Sequence, residues 1–75
     1  MGETQVFYDI VKKKYDEYEE TDVYEDGDMY EARSDYINLV NNQEVREYEY
    51  VILRRITIDP DGKESIEIID DYWDQ

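Results

Sequence analysis

The sequence predicts an α+β domain in which an N-terminal amphipathic helix packs on a small antiparallel sheet, three strands in meander order. Three observations lead there. The aliphatic residues are six Val and eight Ile against two Leu, and β-branched side chains fit a pleated, half-buried surface better than a helical bundle. Apolar residues recur at threes and fours from Thr4 to Glu20, and they alternate with polar ones from Glu44 onward. A chain of 75 residues has room for one core, so residues 1–75 are read as a single acidic domain.

The first element rests on Phe7, Ile10, Val11, Tyr15 and Tyr18, which share one face at helical spacing, with Thr4 as a weak N-cap. Glu25-Asp26-Gly27-Asp28 is turn chemistry, with Gly27 available for positive φ. Residues 29–40 fit either period: Met29, Ala32, Tyr36 and Val40 suit a helix, whereas Tyr36 to Val40 reads as a strand. A strand is favoured, because a lone hairpin is marginal and a third strand supports the sheet. Asn41-Asn42 supplies the next turn.

From Glu44 to Ile58, Tyr48, Tyr50, Ile52, Ile56 and Ile58 point to one side, and Glu47, Glu49, Val51, Leu53, Arg55 and Thr57 to the other. Asp59-Pro60-Asp61-Gly62 is a strong turn, after which Lys63 to Ile69 returns as the next strand. Ile56, Ile58, Ile66 and Ile68 then make one apolar face on which Phe7, Ile10 and Val11 pack. Val51, Leu53 and Ile69 remain on the opposite face. A bulge near Arg54, a return of Tyr72-Trp73, or a homodimer formed through Val51 and Leu53 would cover them.

Charge bounds the function. The chain carries 22 acidic residues against 8 basic ones, a net charge of −14, with no Cys and no His. The commonest zinc ligands and the usual near-neutral general base are missing. Asp59-x-Asp61-Gly62 looks like the centre of a calcium loop, but Ile68 stands where a bidentate Glu is needed, so a turn is the better reading. Gly2, Gly27 and Gly62 stand alone, without a phosphate loop. An enzyme, a metal or a cofactor is not expected. Direct nucleic-acid binding is opposed, since phosphates are held by Lys and Arg. Without a signal peptide or an apolar run of membrane length, a cytoplasmic protein with no membrane association is expected.

The acidic residues are unevenly placed. Asp16, Glu17, Glu19, Glu20, Asp22, Glu25, Asp26, Asp28, Glu31 and Asp35 fall in one stretch with a single cation, Arg33. With Glu47 and Glu49, these twelve form the candidate partner-binding set. Same-face residues on a strand lie about 6.6 Å apart and helical i,i+4 neighbours about 6 Å, spacings that approximate a row of phosphates. Asp16 with Glu20, Glu47 with Glu49, and Glu67 with Asp71 are candidate pairs. One unbroken strand from Glu44 to Ile58 would extend about 46 Å.

In size, charge and the Tyr/Asp/Glu-rich stretch from Tyr15 to Tyr36, the chain resembles the small acidic DNA-mimic proteins that phages use in host takeover. These include inhibitors of restriction enzymes, of CRISPR nucleases and of the histone-like nucleoid protein HU. The resemblance implies a viral protein acting in the host bacterial cytoplasm. Its expected partner is a basic DNA-binding protein, with HU favoured over a restriction, CRISPR or transcription protein because a broad basic saddle can be blocked by charge geometry alone. Two other readings compete: an acidic adaptor or antitoxin-like protein that binds a basic protein without mimicking DNA, and a disordered acidic chain phosphorylated on tyrosine.

Overall fold

The structure is a computed structural model and describes residues 2–74. Its elements are β1 (Gln5–Lys14), β2 (Glu20–Glu25), α1 (Met29–Val40), β3 (Tyr48–Ile58) and β4 (Glu64–Trp73), with 3-10 turns at Asp26–Asp28 and Gln43–Glu47. The strands form one antiparallel sheet in the order β2-β1-β3-β4. The α+β class holds, with four strands instead of three and the helix in mid-chain instead of at the N-terminus. No helix among the described residues is long and apolar enough to cross a membrane.

The expected N-terminal helix is a strand because β1 is an inner strand with apolar residues on both faces. Tyr8 and Ile10 enter the helix-covered core, while Val11 is buried on the opposite side of the sheet. An inner strand of this kind has no clean alternation, and the resulting cluster of Phe7, Ile10 and Val11 imitates helical spacing. The chain leaves β1 through a tight turn in which Asp16 adopts φ 63°, a left-handed conformation that Asp tolerates better than most side chains.

The opposite correction applies to residues 29–40, which form α1 rather than a strand. Ala32 and Tyr36 are its buried residues, with Leu39 and Val40 packed beside them, the i, i+4, i+7 and i+8 face of a helix. Gly27 lies in the 3-10 turn and does not take positive φ; Gly62 does, at 85°. Asn42 accepts a hydrogen bond from the Glu44 backbone N–H, holding residues 43–47 in a 3-10 turn. That turn shortens the strand expected from Glu44, and β3 is 11 residues long, about 36 Å.

The β3–β4 turn is as expected: the Gly62 N–H donates to the Asp59 carbonyl at 2.8 Å, and the Asp59 carboxylate accepts from the Asp61 and Lys63 N–H groups. Ile56 stands opposite Ile66. The helix, however, covers the other face. Val51 and Leu53 lie buried with Tyr8, Ile10, Ala32, Tyr36 and Tyr48, so they are not available to a second copy. A bulge between Leu53 and Arg54 shifts the register of β4, and Ile69 and Tyr72 pack against this core. Full burial of each aliphatic member contributes about 1.5–3 kcal/mol.

Candidate functional site

The candidate residues gather along one margin of the sheet. Asp16, Glu17 and Glu19 lie in the β1–β2 turn, and Glu20, Asp22 and Glu25 on β2, an outer strand. Asp26 and Asp28 continue through the 3-10 turn, and Glu31 and Asp35 occupy successive turns of α1. All ten are exposed. Glu47 and Glu49 join at the hairpin end, where the Tyr15 N–H donates to the Glu47 carbonyl at 3.0 Å.

Three of the twelve are neutralised by cations. Lys12 meets Asp22 at 2.9 Å, Lys13 meets Glu49 at 2.8 Å, and Lys14 approaches Glu47 at 3.9 Å. The Asp22 hydrogen bond pushes the Lys12 pKa upward, so Lys12 keeps its charge near neutrality. The other nine form no salt bridge among the described residues. They make a continuous ridge of uncompensated negative charge along the hairpin tip, β2 and the start of α1.

Neutral donors fix part of this ridge. The Tyr24 hydroxyl donates to Asp35 at 2.8 Å, joining β2 to α1, and the Tyr50 hydroxyl donates to Glu19, joining β3 to the β1–β2 turn. The Tyr15 hydroxyl donates to Asp74, drawing the end of the chain to the same region. Hydrogen bonding to Asp74 raises the Tyr15 pKa to about 12, and the bond to Glu19 raises that of Tyr50. Burial, then Asp35, raises that of Tyr24. A phenol orients a carboxylate without cancelling its charge.

The expected spacings fare unevenly. Glu20 and Asp22 share a face of β2, and Glu31 and Asp35 are helical i,i+4 neighbours. Asp16 and Glu20 do not lie on a helix, and Glu67 and Asp71 fall on opposite faces of β4 because the bulge intervenes.

Two features escaped the sequence reading. Neither outer strand contains a cation: β2 carries Glu20, Asp22 and Glu25, and β4 carries Glu64, Glu67, Asp70 and Asp71. The inner strands hold Lys12, Lys13, Lys14, Arg54 and Arg55, so acidic margins flank a cation-bearing centre. Strand order, which composition does not reveal, creates this segregation. The second feature is Asp9, 3% exposed and held by Arg54 through two hydrogen bonds at 2.8 and 2.7 Å. This pairing raises the Arg54 pKa. An Asp amid apolar residues of a strand was the available signal. No family model, curated protein or solved structure matches the chain.

Proposed function

We propose that this protein is a DNA mimic that occupies the basic DNA-binding surface of a bacterial host protein and blocks its access to DNA, with an HU-type nucleoid protein as the favoured partner. The observation that carries this reading is the segregation of charge: outer strands whose charged residues are all carboxylates, an acidic ridge continuing from β2 into α1, and the strand cations confined to the two inner strands. Three strand spacings separate β2 from β4, about 14 Å, so the sheet holds two acidic lines at a fixed distance. Two lines of negative charge at that separation offer a basic saddle an outline resembling two phosphate backbones. Charged outer strands also prevent edge-to-edge pairing, but that protection does not require the nine uncompensated carboxylates of the ridge and hairpin tip.

The test is displacement of a fluorescent duplex from a purified HU-type protein, followed by anisotropy at low and high NaCl. Competitive displacement that weakens steeply with salt is expected, because charges are screened over about 8–10 Å at physiological ionic strength. Binding that leaves the duplex in place would identify the adaptor or antitoxin-like alternative instead. Affinity insensitive to salt would overturn an electrostatic mimic.

A further inference from the structure

The helix covers one face of the sheet, and the other stands open. Pleat alternation and strand register place Val23, Ile52, Ile56, Ile66, Ile68 and Trp73 on that open face. Ile56 is buried by its neighbours, but Val23 is 65% exposed, Ile66 52%, Ile68 56% and Trp73 53%. Apolar side chains this exposed on one sheet face, interrupted at the centre by the Asp9–Arg54 pair, mark an interaction site. We infer that the open face is the interface between two copies of this chain, packed sheet on sheet, rather than the face of Val51 and Leu53.

Charge and area select a second copy as the occupant. By register the open face carries Asp9, Glu25, Glu64 and Asp71 against Lys13 and Arg54, and Glu49 reaches Lys13 at 2.8 Å, which gives five carboxylates against two cations, a net −3 of the chain's −14. Most of the remaining charge lies in the turns rather than on the sheet faces, so two copies meeting here keep most of their like charge at the margins. Asp9 and Arg54 satisfy each other at its centre and need no opposing charge from a partner. A basic protein is drawn instead to the ridge and outer strands. The three long strands run ten or eleven residues, about 33 Å, and the four strands span about 14 Å between outer axes. The projected face is therefore about 500 Å² per copy, and a pair buries on the order of 1,000 Å², the size at which specific interfaces begin. Sheets packed about 10 Å apart leave both helices and their acidic residues facing outward.

This inference does not rest on the DNA-mimic reading and is tested on the full chain alone. Sedimentation velocity over a wide concentration range should show reversible association to twice the 9.2 kDa chain mass, strengthened by salt as residual repulsion is screened. The charge-neutral pair Ile66→Asn with Ile68→Asn should raise the dimer dissociation constant about tenfold or more, whereas Ile37→Asn on the exposed side of α1 should leave it unchanged. Isotope-filtered NOEs on the unmodified protein, linking Ile52 and Ile68 methyl groups between copies, provide a readout independent of variant folding. A monomer at every concentration and salt, or intermolecular NOEs confined to α1, would overturn the proposal.

Discussion

The Tyr24 hydroxyl donates to the Asp35 carboxylate at 2.8 Å, so the bond that fastens the outer strand β2 to α1 is also one that orients the acidic ridge. Tyr24→Phe should cost about 1 kcal/mol in urea unfolding and loosen α1 without changing net charge. The same pair predicts alkaline behaviour. Burial and Asp35 raise the Tyr24 pKa, burial raises that of Tyr36 to about 12, and Asp74 raises that of Tyr15 to about 12. Stability from these neutral phenols is fully present below the unfolded value near 10 and is lost as pH climbs through the folded values. Absorbance at 295 nm should therefore resolve a late-titrating group of tyrosines, with thermal stability declining from about pH 10 upward.

The pair of buried Asp9 and half-buried Arg54 should behave as a unit. Arg54→Met leaves the buried Asp9 carboxylate without its partner, at a cost of about 3 kcal/mol, whereas Asp9→Ala leaves an Arg54 side chain that is 28% exposed and should cost less. The combination Asp9→Val with Arg54→Met should cost less than either single change. Urea unfolding of the three variants at one protein concentration measures this, and additive losses would show that the charges act independently.

Asp16 offers a separate test of local strain. Its φ of 63° suits glycine, so Asp16→Gly should stabilise the fold by about 1 kcal/mol through relief of the left-handed conformation. Asp16→Asn removes the same charge and keeps the side chain, and it should gain less. Equal shifts in melting temperature would assign the effect to charge alone.

Position should outweigh number among the carboxylates. Neutralising Glu25, Asp26 and Asp28 to Gln or Asn should weaken partner binding more than neutralising Glu3, Glu44 and Asp61, which lie outside both the ridge and the outer strands. Both sets change net charge equally, and both avoid Asp59, whose carboxylate holds the turn. A difference above ~1 kcal/mol exceeds what exposed charge pairs contribute singly. Equal losses in a titration against the basic partner would leave only nonspecific acidity.

Legibility in the sequence followed the locality of the cause. The Asp59 to Gly62 turn and the alternation around Ile56 and Ile66 depend on neighbours in the chain and could be read directly. The nature of β1 could not, because Phe7, Ile10 and Val11 acquire opposite faces only once β2 and β3 flank them. Residues 29–40 satisfied both periods until the sheet needed a cover over Val51 and Leu53. The acidic ridge was visible as a charge run, but the separation of outer carboxylates from inner cations required the strand order.

That strand order also governs how the chain assembles. The β1–β2 and β3–β4 hairpins each join neighbouring segments, whereas the central seam pairs Gln5 with Ile58 and Phe7 with Ile56, closing the loop only after most of the chain exists. Loop-closure entropy makes such non-local pairing slow, so the two hairpins are expected to form before the seam. Until it closes, the inner edges of β1 and β3 are unpaired and able to recruit strands from other chains. The −14 net charge opposes those encounters by mutual repulsion, so the charge that shapes the finished surface also protects the unfinished one from aggregation.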